Sequence, residues 1–187
     1  MNVLYSKLPM EISVCGKKYK IATDFRDWIR FADAAEATEL TDDDRIEIFM
    51  SFFIEERPLN KAAALRALAD FYGCKDMPRV GKGIGKGNNK KVFSYMYDAG
   101  YVLAAFRQAY SIDLRSIRYM HWYEFRWLFE ALPDNIPLKE RINYRSINVS
   151  DIKDNKERSR IRKIQRATAL PNNIGDMDIG SIFGGVM

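Results

Sequence analysis

Cysteine and histidine are almost missing from this chain of 187 residues: it holds Cys15, Cys74 and a single histidine, His121. A structural zinc site needs four thiolates or a mixture of thiolates and imidazoles, so none can be assembled. Two cysteines cannot make a disulfide framework either, which fits a reducing compartment. Long apolar runs are lacking as well. The longest mostly apolar stretch, Ile46 to Ile54, carries Glu47 and Ser51, and a membrane-spanning helix needs roughly 20 apolar residues. The opening MNVLYSKLPMEIS shows no apolar segment of the secretory type. What is present, 47% apolar and 29% charged residues, is the balance of a folded chain. The length suits one domain, or a domain with an appendage, at roughly 100–200 residues per domain.

Charge is unevenly placed. Residues 1–78 carry a net −3, residues 79–91 a net +5 and residues 92–187 a net +3. The middle segment owes its charge to Arg79, Lys82, Lys86, Lys90 and Lys91, with no acid among them. A pI near 9.1 is thus largely the property of one loop, and it points only weakly to nucleic acid or another acidic partner.

The spacing of apolar residues predicts a mainly α protein. Glu11–Cys15 and Lys18–Ile21 alternate about a Gly16-Lys17 turn, which predicts an N-terminal β-hairpin. Thr23-Asp24 offers an N-cap for a helix with Phe25, Trp28, Ile29, Ala32 and Ala35 on one face. Thr41 and Asp44 have the spacing of a capping box, and Ile46, Phe49, Met50 and Phe53 follow as a stripe up to Pro58. Asn60 can cap a helix over 61–72, with Gly73 after it. Residues 77–91 read as a flexible basic loop. A helix is expected over 92–110 with Met96, Ala99, Val102, Leu103 and Phe106 inward, and with Gly100 closely packed. Two more are expected over 115–132 and from Pro137 to about 147. The last, over 152–169 and capped by Ser150-Asp151, is too polar to be core. The tail after Pro171 has no helical period and reads as frayed. The expected architecture is a compact bundle of about six helices with a small hairpin. It divides into a domain over 1–147, a basic C-terminal helix over 148–170 and a flexible tail over 171–187.

Catalytic patterns do not assemble. Gly81-Lys82-Gly83-Ile84-Gly85-Lys86-Gly87 has three residues before its Gly-Lys pair where a phosphate-binding loop has four, and Gly87 replaces the required hydroxyl. Pro133-Asp134 and Asp151-Ile152-Lys153 mimic a nuclease pattern, but that chemistry needs the acids and lysine on adjacent strands. His121 reads as a packing or capping residue. The chain is expected to be no enzyme and to need no cofactor or metal.

The helix expected over 115–132 is the most aromatic stretch. Trp122, Phe125, Leu128, Phe129 and Leu132 form one face, and Tyr119, Tyr123 and Trp127 an adjoining one. Together they exceed one core stripe, so part of the surplus is available for an interface; a central helix packed on two sides would use it equally well.

Several segments resemble one family. Asp24-Phe25-Arg26-x-Trp28 follows the hairpin. Asp98-Ala99-x-Tyr101-Val102-x-Ala104-Ala105-Phe106 leads to Tyr110-x-Ile112-Asp113-Leu114. His121-Trp122-x-x-Phe125-Arg126-x-Leu128 comes next, then Ile142-x-Tyr144-Arg145 and the charged helix over 153–166. Over residues 2–167 the chain resembles the bacteriophage gene-product-15 family, small proteins of the tail modules of long-tailed phages and prophages. The resemblance implies a tail morphogenesis factor without catalytic residues, acting as a tail assembly chaperone that holds the tape measure protein soluble among other tail-module proteins. It implies location in the host bacterial cytoplasm during assembly, or in the virion tail; the lack of a long apolar run adds the expectation of no membrane partner. The expected partner-binding residues are Tyr119, Trp122, Tyr123, Trp127, Arg158, Arg160, Arg162, Lys163 and Arg166. The loop cations Arg79, Lys82, Lys86, Lys90 and Lys91 form a second candidate for an acidic partner. The alternatives are a structural tail component retained in the virion and a basic nucleic-acid-binding module.

Overall fold

A computed structural model describes residues 4–75 and 91–171. The described residues fall into two units, one of residues 4–75 and 118–127, the other of residues 91–117 and 128–171. The loop expected over 77–91 and the tail after 171 lie outside the described residues, except for Lys91 and Pro171.

The first unit begins with the hairpin, β1 (Glu11–Val14) against β2 (Lys17–Lys20), paired Glu11 to Lys20 and Val14 to Lys17. The turn falls one residue earlier than expected. Cys15 and Gly16 are its centre, both with positive φ (50° and 83°), which is the twist a two-residue hairpin favours. Helix α1 (Phe25–Glu36) starts at Asp24, whose carboxylate accepts from the Arg26 amide. It buries Phe25, Trp28, Phe31, Ala32, Ala34 and Ala35. Helix α2 (Asp42–Met50) carries the capping box of Thr41 and Asp44. It ends at Met50 and not near Pro58, because Phe52 and Phe53 turn back into the core. The Phe52 carbonyl accepts from Ala22, and Ile54 donates to the Lys20 carbonyl. Helix α3 (Lys61–Tyr72) has the expected Asn60 cap.

In the second unit, α4 (Tyr95–Tyr110) is shorter than expected and turned about its axis. Its buried face is Tyr95, Asp98, Val102, Ala105 and Phe106, whereas Met96 and Ala99, expected inside, are exposed. The cause is Asp98. A carboxylate reads as a solvent residue in a periodicity argument, but here its charge is matched inside the unit. Gly100 is not closely packed: a Cβ built on it meets nothing within 4 Å among the described residues.

The helix expected over 115–132 is only α5 (Trp122–Glu130), whose residues 122–127 belong to the first unit and 128–130 to the second. Residues 119–121 run extended instead. Phe25 donates to the Met120 carbonyl (3.0 Å) and Trp122 to the Thr23 carbonyl (2.8 Å), an antiparallel bridge that takes up amide and carbonyl groups a longer helix would need. Helix α6 (Pro137–Ser146) is as expected. Asp151 closes a short 3-10 turn (Val149–Asp151), and α7 (Asn155–Thr168) is capped by Asp154 rather than by Ser150-Asp151.

Candidate partner-binding surfaces

The aromatic segment of the first unit is built around its bridge to residues 23–25. His121 is buried there. Its Nδ1 accepts from the Tyr123 amide (3.0 Å), capping α5, and its Nε2 donates to the Pro9 carbonyl (2.9 Å). That pairing is the neutral imidazole with its proton on Nε2, and burial holds the pKa of His121 below the usual 6.5. The packing and capping reading of His121 describes this arrangement.

Trp122 and Tyr123, expected at an interface, are both 0% exposed. Trp122 stacks on Tyr72 (5.2 Å between centroids) and its Nε1–H donates to the Tyr72 carbonyl. Tyr123 lies against Phe71 at 4.7 Å. Neither ring can meet a partner in this structure, and the reason lies in α3. A sequence stripe cannot reveal that a second aromatic helix end lies across the face. Two of the four aromatics remain accessible. Tyr119 is 48% exposed with its hydroxyl 2.8 Å from Thr23 Oγ1, and Trp127 is half-buried beside Tyr123.

In the second unit, α7 buries Ile161 alone. Ile164, Gln165 and Thr168 complete its inner side, and the Gln165 amide donates to the carbonyls of Tyr144 (2.8 Å) and Ile147 (2.7 Å). The helix carries six basic residues against one acid. They do not all face outward. Arg158 is half-buried and its guanidinium donates to the Ile152 carbonyl (2.9 Å), which closes the turn entering the helix. Arg160 pairs with Glu157 (3.0 Å). Arg162, Lys163 and Arg166 are exposed and have no acidic partner among the described residues. These three cations are the freest part of the expected set.

Arg79, Lys82, Lys86 and Lys90 lie outside the described residues, and Lys91 is half-buried. Asp134 lies in the turn after α5 and Asp151 in the 3-10 turn, so the nuclease-like residues are not on strands. Among the described residues no group of His, Cys, Asp and Glu could hold a metal, and no helix is long and apolar enough to cross a membrane.

Two features were not singled out from the sequence as sites. One is an open groove of about 550 Å³ on the hairpin, with Met10, Ile12 and Ile54 in its wall beside Lys18 and Lys20. The other is a buried charge cluster. Arg145 grips Asp98 with both Nη atoms (2.7 and 2.9 Å), and the same guanidinium donates to the carbonyls of Val92 (3.0 Å) and Thr168 (2.6 Å). Asp98 also accepts from the Ser94 amide (3.2 Å). The signal was the presence of Asp98 and Arg145 within two of the family-like segments. Their role is architectural: one side chain ties the entry to α4, the helix itself, α6 and the end of α7.

A family model described as bacteriophage Gp15 protein matches residues 4–170 of the chain. No curated protein and no solved structure matches it.

Proposed function

The chain belongs to the bacteriophage Gp15 family, and on that premise we propose that it is a non-enzymatic factor of phage tail morphogenesis, a chaperone that binds the tape measure protein. The observation that supports this reading is α7. Only Ile161 of the helix is fully buried, while Arg162, Lys163 and Arg166 face solvent without acidic neighbours among the described residues. Exposed cations of this kind speed encounter and set register with an acidic or mixed-charge helix, and add modestly to affinity. A long amphipathic helical protein is such a partner. In the first unit, Tyr119 and the accessible part of Trp127 are separate aromatic anchors of the type favoured at interfaces.

The test is co-expression with the tape measure protein of the same gene cluster, followed by size exclusion with light scattering at two salt concentrations. A soluble complex is expected, with the tape measure protein precipitating when expressed alone. Arg162→Glu with Lys163→Glu should weaken it. Failure of the wild-type chain to form any complex would end the chaperone reading. Detection of the chain in purified virions would point to a retained tail component, and binding to nucleic acid that falls steeply with salt would point to phosphate contacts.

A further inference from the structure

We propose that the outward face of α4, bordered by Arg141 of α6, docks an amphipathic helix of another protein that carries a carboxylate beside its apolar stripe. Met96, Tyr97 and Tyr101 are 68%, 48% and 39% exposed, and Gly100 and Ala104 are exposed between and beyond them. All five lie on one stripe of the helix, about 12 Å long. Single exposed apolar residues are ordinary on a protein surface, whereas a contiguous stripe of them marks an interaction site.

The relief of the stripe fits a helix. Met96, Gly100 and Ala104 recur at every fourth residue and drop to bare backbone at Gly100, and Tyr97 and Tyr101 stand beside them as a ridge. Rows with this spacing are the ones that interlock when two helices pack. Glycine weakens a helix interior, and a Cβ on Gly100 would meet nothing within 4 Å. The packing of the described residues therefore makes no use of it. A helix laid on this row comes closer there than it would over any larger side chain.

Charge selects the partner. The exposed side of α4 carries no acid, because its one carboxylate, Asp98, is buried. Arg141 borders the stripe, with its guanidinium carbon 4.2 Å from the centre of the Tyr101 ring. Its Nε lies 3.8 Å from Asp98 Oδ1, but both Asp98 oxygens are already held by Arg145. That Nε has no hydrogen-bond partner, and the Arg141 side chain is 25% exposed. Two guanidiniums thus share one buried carboxylate. The edge of the stripe keeps an unmatched positive charge, and a docked Asp or Glu would neutralise it through a charge-assisted hydrogen bond. A second copy presenting the same stripe brings no such acid. Five residues fall well short of the roughly 800 Å² per partner of a stable interface, so the engagement is transient. It uses none of the α7 cations.

The test is titration of a fluorescently labelled peptide of about 20 residues, long enough to hold a helix in water, with the full chain, read by fluorescence anisotropy. The peptide has Leu and Ala on one face and Glu along its border. Two control peptides replace the Glu residues by Gln, or the Leu residues by Gln. The Glu peptide should bind, and each control should bind at least about tenfold more weakly. Gly100→Leu fills the row, puts a better helix former where nothing clashes, and should weaken binding more than about tenfold while the chain stays folded. Arg141→Gln should weaken the Glu peptide about tenfold and leave the Glu-to-Gln control unchanged. Should that variant misfold, the two peptides compared on the wild-type chain carry the same information. No binding by the wild type overturns the proposal, and so does equal binding by Gly100→Leu, which moves the contact to another surface such as α7. Self-association that Gly100→Leu abolishes identifies a second copy as the occupant and also overturns it. Binding of a single-stranded oligonucleotide in preference to the peptide, lost in Gly100→Leu, assigns the stripe to nucleic acid instead.

Discussion

Around Trp28 in the first unit, rings close in from every side: Phe31, Phe52, Phe71 and Trp122 all lie within 6.3 Å between centroids. Buried in the second unit is a carboxylate, Asp98, gripped by the Arg145 guanidinium, which also reaches two backbone carbonyls, with Arg141 Nε 3.8 Å from its Oδ1. Apolar rings attract without much regard for direction, so the first arrangement is secured by volume and tolerates rotation of a neighbour. A buried ion pair is secured by geometry. Its attraction must repay the loss of hydration, and it does so only when both partners and their remaining hydrogen bonds are in place. One unit is thus robust in chemistry and sensitive to size, and the other is the reverse.

The largest expected effects break each arrangement in its own way. Trp122→Ala should destabilise by about 3–5 kcal/mol through the void it leaves. Asp98→Ala should cost a similar ~3–5 kcal/mol, because it strands the buried Arg145 charge. The two diverge on rescue. Asp98→Leu combined with Arg145→Met, apolar and of similar bulk, should cost less than Asp98→Ala alone. The recovery is partial, since the Val92 and Thr168 carbonyls lose their donor. Urea unfolding of the three variants decides the matter. A double variant at least as damaged as the single one would mean that the carbonyl contacts, and not the ion pair, hold the second unit.

This contrast also explains what could be read from the sequence. The helices that begin at Asp24, Thr41, Asn60 and Pro137 were legible because their signals are local: a capping oxygen, a capping box, a proline in the first turn. The aromatic content of the first core was legible for the same reason. What could not be read depended on partners distant in sequence. Asp98 rotated α4 because Arg145 lies 47 positions away. Residues 119–121 stayed extended because residues 23–25 offered them a bridge. Trp122 and Tyr123 left the candidate interface because α3 covers them. The cationic side of α7 was legible, since a helix with so few apolar residues can bury only a narrow strip. The division of labour among its arginines was not: Arg158 spends its donors on a backbone carbonyl, a contact that charge counting cannot anticipate.

A smaller effect sharpens the comparison through pH. His121 is the one titratable imidazole, and burial lowers its pKa below 6.5. As pH falls from 6.5 towards the folded-state pKa, the unfolded chain binds more protons than the folded one, so stability declines across that window and is fully present above it. Protonation also destroys the Nδ1 acceptor of the Tyr123 amide. The urea midpoint of the wild type should therefore drop between pH 7.5 and pH 5.5. His121→Asn, which keeps an acceptor near the Tyr123 amide but cannot titrate, should show a flatter profile over the same range. Parallel profiles for the two proteins would remove His121 as the source of the decline.

The smallest effect on stability is expected where the effect on binding is largest. Arg162 and Lys163 are exposed and face no acid among the described residues, so Arg162→Glu with Lys163→Glu should shift folding stability by no more than about 0.5 kcal/mol. Ile161→Ala, in the same turn of α7 but buried, should cost about 2–5 kcal/mol. The pair of measurements separates two uses of one helix. If the charge reversal leaves the urea midpoint in place and abolishes capture of the tape measure protein, the outer side of α7 is a recognition surface carried by an apolar anchor. If it lowers the midpoint as far as Ile161→Ala does, the cations hold the second unit together. The architectural role of Arg145 then extends along the helix, and α7 has no charge left over for a partner.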